Sequence, residues 1–255
     1  MADAIALLKK YRLTLLFFAV AGLIGGFFVG YYSLDSYPEA IRNEIYAEGL
    51  TDFIVAAVTA LQSALYGVIL GAVGMILGDR LGLFKNERSI QQRPLFFALG
   101  IAVVSGLAMI LCDVLFFGHY SEAVMSSYDA KPTVVFTIAS IVYGGVIEEV
   151  MLRLFMLTLV ALILFKLLEK GEGTPSVKVL VLANVISALL FAAGHLPATA
   201  ILLGLTPMTV FRCFLLNGGI GFLFGWLYHR FGLRYAMIAH AGTHVVSKLI
   251  WILFI

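Results

Sequence analysis

The chain has 255 residues, of which 62% are hydrophobic and only 13% are charged. Soluble domains carry about 25% charged residues, so this composition excludes a soluble globular enzyme. It predicts an all-α polytopic protein of the lipid bilayer, with residues 1–255 forming a single transmembrane domain. The formal net charge is +2 and the basic residues form no long run, which argues against nucleic acid as a partner.

Seven apolar runs are long enough to be predicted as membrane-spanning helices. The first follows a basic start but is longer than the apolar region of a signal peptide and lacks a clear cleavage site, so we interpret it as a helix. The apolar, proline-bounded residues 196–208 form either an outer loop or a re-entrant segment. The predicted spans cover residues 13–32, 53–78, 95–117, 134–168, 177–197, 209–228 and 235–255.

The distribution of basic residues predicts the orientation, because cytoplasmic loops carry an excess of lysine and arginine. With the N-terminus in the cytoplasm, only Arg42 and Lys131 fall in the outer loops. The C-terminus then lies outside, and we expect a multi-pass protein of the cell membrane. The inside ends carry twelve basic residues: Lys9, Lys10, Arg12, Arg80, Lys85, Arg88, Arg93, Lys166, Lys170, Lys178, Arg230 and Arg234.

Two adjacent carboxylates and an arginine lie inside the apolar residues 134–165 of the fourth run, where ionisable groups are costly and usually functional. Glu149 and Arg153 are four residues apart, so they share a helical face and are expected to pair. Glu148 is rotated by about 100° from Glu149 in an α-helix and is not matched by that arginine. The spacing therefore predicts that Glu149 is braced and that Glu148 is free to react.

Histidines occur in two later spans. His195 shares a face with Phe191 and directly precedes Leu196 and Pro197, so the helix is expected to end there. His240 and His244 lie on one face of the seventh span, which is the spacing of a helical zinc motif. That motif has a glutamate after its first histidine, whereas Ala241 stands here, and Lys248 on the same face would repel a dication.

Together these motifs resemble the CPBP family of intramembrane endopeptidases, which includes the CAAX prenyl proteases. Its three motifs are Glu-Glu-x-x-x-Arg, Phe-x-x-x-His, and a histidine followed four residues later usually by asparagine. The resemblance covers about residues 134–250, which would be the catalytic core. Its counterparts here are Glu148, Glu149 and Arg153, then Phe191 and His195, then His240 and His244.

The resemblance implies that Glu148 and His195 activate a water molecule for attack on a peptide carbonyl. It further implies that His240 and His244 donate to the oxyanion, while Glu149 and Arg153 brace the site. The substrate would be a peptide or protein, with lipidated CAAX-type tails as one class. His244 departs from the usual asparagine, so a zinc ion held by His195, His240 and His244 remains an alternative to a site without a cofactor.

Two other functions fit a membrane protein with these residues. A proton-coupled transporter would use carboxylates and histidines as a relay, with Asp113 and Lys248 as further members. A non-catalytic scaffold or immunity-type protein would have the fold of the family without catalytic activity.

Glu148 lies fourteen residues from the outer start of the fourth run, and His240 lies five residues from the inner start of the seventh run. We therefore expect a clustered site in the inner half of the bilayer, opening toward the cytoplasm.

Overall fold

A computed structural model describes residues 2–85 and 89–255 of the chain. Within these residues there is no strand, and seven helices are long and apolar enough to cross a membrane, which confirms the seven predicted spans. Arg88 of the basic 79–93 connection, one of the twelve residues in the orientation argument, lies outside the described residues. The spans are Arg12–Ser36, Asp52–Arg80, Gln92–Tyr120, Val134–Glu169, Val177–Leu203, Pro207–Phe231 and Leu233–Phe254.

Short helices flank the spans. One precedes the first span at Ala2–Lys10. Two more lie in the connections after the first and third spans, at Glu39–Ala47 and Glu122–Ser126. All three are too short to cross a membrane, so they belong to the ends of the bundle.

The first two spans pack closely because glycines recur every four residues along their contact. A β-carbon on Gly22 would lie 2.6 Å from Cα of Ala64, and one on Gly30 would lie 2.5 Å from Cα of Ala56. Any larger side chain would separate the two backbones. This contact, expected from the four-residue spacing, fixes the first span against the second.

The fourth span differs from the plain α-helix that its hydrophobicity suggests. Residues Ala139–Glu148 and Val150–Leu157 form π-helix, in which the hydrogen bonds span five residues. Consistent with this wider turn, the hydroxyl of Thr158 donates to the carbonyl of Arg153, five residues earlier. π-Helical turns are rare and frequently occur at functional sites. Here they contain Glu148 and Arg153, and Glu149 lies between the two π-helical segments.

The fifth span is longer than predicted. Its helix runs over Val177–Gly194, breaks at His195 and resumes at Leu196–Leu203. The predicted end of the helix at His195 is present as this break, whereas the expectation of an outer loop from residue 196 is wrong, because Leu196–Leu203 is helical. Pro197 stands in the first turn of the resumed helix, where its missing N–H is not needed.

A buried ion pair joins the third and sixth spans. Arg212 donates to both carboxylate oxygens of Asp113, from Nε at 2.6 Å and from Nη2 at 2.5 Å. The hydroxyl of Tyr128 donates to the same carboxylate at 2.7 Å. Burial and the adjacent Asp113 raise the pKa of Tyr128, so its hydroxyl stays protonated as a donor. Asp113, considered above for a proton relay, is therefore held in a structural bridge.

Candidate active site

Glu149 lies at the centre of a buried charged cluster that joins the fourth and seventh spans. Its Oε1 accepts a hydrogen bond from Nδ1 of His240 at 2.8 Å and lies 3.0 Å from Nη1 of Arg153. Its Oε2 has no hydrogen-bond partner among the described residues, so the carboxylate is held through one oxygen. The predicted pair of Glu149 with Arg153 is present, and His240 is an additional partner.

Arg153 extends this cluster to the fifth and sixth spans. Its Nη2 donates to the carbonyl of Gly221 at 2.8 Å. Its guanidinium carbon lies 4.7 Å from the ring centroid of Phe191 and 5.6 Å from that of Phe224. Arg153 is only 1% exposed, so its charge is balanced by Glu149, one carbonyl and two aromatic faces. The phenylalanine of the second sequence motif thus packs on the arginine of the first.

Glu148 has a different environment from its neighbour. It lines a cavity of about 350 Å³, together with His195, His240 and His244, whereas Glu149 and Arg153 do not line it. Its side chain is 20% exposed, and its Oε2 lies 3.9 Å from Nε2 of His240. The two adjacent carboxylates therefore have separate surroundings, one fully buried in an ion pair and the other facing open space.

His195 sits at the helix break on the cavity wall. Its ring packs edge-on against Phe191, with the centroids 4.6 Å apart. Its Nδ1 lies 2.9 Å from the carbonyl oxygen of Phe191. Because a carbonyl can only accept, Nδ1 carries the proton and a neutral imidazole keeps Nε2 as an acceptor. His195 is thus oriented as a base by its own helix.

His240 and His244 lie one turn apart on the seventh span, with ring centroids 5.0 Å apart. Gly144 of the fourth span faces them. A β-carbon placed on Gly144 would lie 3.1 Å from Nε2 of His244 and 3.4 Å from Nε2 of His240. The absent side chain leaves room beside both nitrogens. Glu148, on the same span, borders the same space.

Several polar cavity residues were not singled out from the sequence, among them Asn217 and Tyr143. Asn217 lies in a π-helical turn of the sixth span, where its Nδ2 donates to the carbonyl of Cys213 at 3.1 Å. An amide within an apolar span is a signal that would have identified it. Tyr143 also lines the cavity, but a tyrosine in an apolar span has no comparable signal.

Lys248 does not join the histidines at the cavity, contrary to the expectation from its spacing. Its Nζ lies 4.1 Å from the ring centroid of Phe136, and the residue is 4% exposed. The ammonium group therefore packs on an aromatic ring that itself lines the cavity, and its positive charge still acts on His244.

The donor geometry does not fit the zinc alternative. In the described part of the chain, no three His, Cys, Asp or Glu side chains come close enough together to hold a metal ion. His195, His240 and His244 line one cavity but do not form a ligand set as they stand.

The cavity extends toward the end of the bundle where the first span ends and the fourth begins. Its walls there include Val29 and Ser33 of the first span, Phe136 of the fourth, and Leu202 at the end of the fifth. In the orientation predicted from the basic residues this is the non-cytoplasmic end. The expected opening toward the cytoplasm is therefore inconsistent with that orientation.

Comparison with known proteins identifies the part of the chain that carries this site. Residues 130–246 match the model of a family described as type II CAAX prenyl endopeptidase, Rce1-like. The matched segment contains all six predicted site residues, from Glu148 to His244. No curated protein and no solved structure matches the chain.

Proposed function

Because its residues 130–246 belong to the Rce1-like family of type II CAAX prenyl endopeptidases, we propose that this chain hydrolyses peptide bonds with a water molecule activated by Glu148. The family makes the chain an intramembrane protease, as its motifs indicated. The observation that carries the mechanism is the contrast between two adjacent carboxylates. Glu148 faces the cavity, while Glu149 is buried in an ion pair.

The proposed base is Glu148, assisted by His195. A carboxylate in a poorly solvated cavity is a stronger base than one in water, and a positioned base contributes about 10²–10⁴-fold to a rate. Nε2 of His195 is an acceptor on the same cavity wall. A water molecule between these two groups would lose its proton as it attacks the peptide carbonyl.

His240 and His244 are the proposed oxyanion donors. Glu149 accepts a hydrogen bond from Nδ1 of His240, so Nε2 donates when the imidazole is protonated on both nitrogens. Nε2 of His244 borders the same free space beside Gly144. Fixed donors of this kind in a low-dielectric site stabilise a developing oxyanion strongly.

The proposed substrate is a membrane-associated peptide or protein segment, and a lipidated tail is one class of it. Most of the cavity wall is apolar, with Val29, Met109, Phe136, Leu202 and Ile220 among its residues. Such walls accept apolar side chains next to the bond that is cut. The proposed location is the cell membrane, with the N-terminus in the cytoplasm.

Cleavage of a peptide library by the purified protein tests this function. Wild type is expected to cut a subset of peptides, and His195→Gln is expected to lose most of that activity. His119→Gln is the matched control, because His119 is exposed and does not line the cavity. Equal loss in both histidine variants, or no cleavage by wild type of any peptide, would contradict the proposal.

Cleavage is expected to be independent of added metal, because the three histidines do not form a ligand set. Incubation with a chelator and removal of the chelated metal should leave the rate unchanged. The measurement is the cleavage rate beside the metal content of the active protein. Stoichiometric zinc that is lost together with activity, and that restores it when added back, would refute this expectation.

Gly144→Ala is expected to reduce turnover by up to about 10²-fold with little change in thermal stability. The new methyl group would occupy the space beside Nε2 of His240 and His244, and displacement of reacting groups by about 1 Å costs that much. Gly100→Ala is the control, since nothing lies within 4 Å of its β-carbon position. Unchanged turnover in Gly144→Ala would show that the carbonyl does not bind there.

A further inference from the structure

Asn217 places an amide on the cavity wall that the proposed mechanism leaves unused. It lies in the π-helical turn Phe214–Gly219 of the sixth span. This turn follows a contact with the fifth span, in which Sγ of Cys213 donates to the carbonyl of Ala192 at 3.2 Å. Ala192 precedes the helix break at His195 by three residues. Asn217 therefore borders the cavity close to the part of the wall that carries His195.

The amide of Asn217 is oriented by its own helix. Its Nδ2 lies 3.1 Å from the carbonyl oxygen of Cys213, four residues earlier. Because a carbonyl can only accept a hydrogen bond, the nitrogen end of the amide must face Cys213. This contact distinguishes the nitrogen from the oxygen, which have nearly the same size. The acceptor Oδ1 is therefore the end that is turned away from the carbonyl of Cys213.

Oδ1 of Asn217 has no hydrogen-bond donor in the described part of the chain. It is not enclosed by protein either, in contrast to the unpartnered Oε2 of Glu149. Because Asn217 is half-buried and lines the cavity, its free oxygen is open to the cavity. An amide oxygen in apolar surroundings costs free energy unless a donor reaches it. An acceptor cannot bind an oxyanion, so its partner must be an N–H or O–H group.

A bound peptide supplies such a donor. When a peptide enters the cavity its backbone leaves water, and each N–H group that finds no acceptor there costs free energy. Most of the wall is apolar, with Met109, Leu216 and Ile220 among its residues, and apolar side chains offer no acceptor. The free Oδ1 of Asn217 and a backbone N–H of the peptide therefore satisfy each other.

From these observations we propose that Asn217 is a substrate-binding residue, whose Oδ1 accepts a hydrogen bond from one backbone N–H of the peptide near the bond that is cut. The contact holds the main chain of the substrate and is independent of its side chains. It also sets one limit on sequence, because proline has no N–H and is disfavoured at the position that faces Asn217. This inference rests on the proposed function for its ligand.

A series of ester-containing peptides tests this contact. In each member one amide, other than the one that is cut, is replaced by an ester, which removes a single N–H and keeps the shape of the chain. The measurement is kcat/KM of each peptide with wild type and with Asn217→Leu. Leucine is close to asparagine in size and has no acceptor. Asn43→Leu, at an exposed position outside the cavity, is the matched control.

At one position the ester is expected to lower kcat/KM of wild type by about 5–100-fold, the cost of leaving one polar partner unpaired. Asn217→Leu should lower kcat/KM of the all-amide peptide by a similar factor, mainly through KM. It should also lose the preference for the amide at that position, because neither partner is then left unpaired. Asn43→Leu should keep the wild-type pattern.

Two results would overturn the proposal. The first is the same preference of wild type and Asn217→Leu at every position of the series. The second is a fall in kcat that is equal for all peptides, which would show that Oδ1 holds the attacking water molecule instead. If Asn217→Leu unfolds below wild type, Asn217→Ala gives the same comparison without added bulk.

Binding without turnover separates this inference from the proposed function. The Kd of fluorescent amide and ester peptides is measured by anisotropy with Glu148→Gln, alone and combined with Asn217→Leu. The same loss of preference is expected in Kd. If it is observed but wild type cuts no peptide, the contact is confirmed and the proteolytic function fails. If wild type cuts peptides but Kd shows no such change, the function is retained and the inference fails. A library without any bound peptide would overturn both.

Discussion

Glu148→Gln is expected to lose about 10²–10⁴-fold in turnover, the contribution of a general base, while it inserts and purifies like wild type. Glu148 lines the cavity with its side chain 20% exposed, and its Oε2 lies 3.9 Å from Nε2 of His240. Glutamine has nearly the same shape, so the packing around the site is kept. What disappears is the carboxylate that takes a proton from water.

The measurement is the peptide cleavage rate beside the thermal unfolding curve. Glu172→Gln, in an exposed connection, is the matched control and should keep both. A Glu148→Gln protein that cleaves at the wild-type rate would refute the assignment of the base. One that unfolds well below wild type would instead show that Glu148 has a structural role.

Glu149→Gln is expected to lower stability by about 3–5 kcal/mol, the cost of removing one partner from a buried ion pair. Glu149 is fully buried, and its Oε1 is shared by Arg153 and His240. The variant would leave the arginine charge unpaired in the centre of the bundle. Folded proteins are stable by only about 5–15 kcal/mol, so we expect a low yield and a reduced unfolding temperature.

A double variant distinguishes charge from packing. Glu149→Gln combined with Arg153→Met removes both charges and should recover part of the stability lost in Glu149→Gln, because a buried pair can be replaced by apolar groups at little cost. Thermal unfolding of the two proteins in the same detergent is the measurement. If Glu149→Gln is as stable as wild type, the two carboxylates do not divide their roles in this way.

Local spacing was sufficient to predict the spans and one part of the site. The pair of Glu149 with Arg153 depends on residues four apart in one helix, and the edge-on contact of Phe191 with His195 depends on the same spacing. The close contact of Gly22 with the second span was also evident from a repeat of small residues. In each case the interaction is set by neighbours on one helical face.

The rest of the site depends on contacts between distant parts of the chain. Glu149 and His240 are 91 residues apart, and no spacing indicates that the fourth and seventh spans meet there. By residue spacing, Lys248 lies on the same face of the seventh helix as His240. Its ammonium group nevertheless lies over Phe136, a contact that depends on how the fourth span packs against the seventh. The π-helical turns of the fourth span and the continuation of the fifth beyond Pro197 likewise follow from packing rather than from local preference.

The helix break at His195 bears on how the reaction is supplied with water. Each cleaved peptide bond consumes one water molecule, and the hydrocarbon layer holds almost none. Pro197 has no N–H to offer the carbonyl four residues before it, and a backbone group left without a helical partner inside a membrane requires water or another protein group. The break therefore places the polar ring of His195 in an otherwise apolar part of the cavity wall. A water molecule held at His195 would stay beside Glu148 between turnovers. The rate of peptide cleavage then need not depend on water that arrives through the lipid.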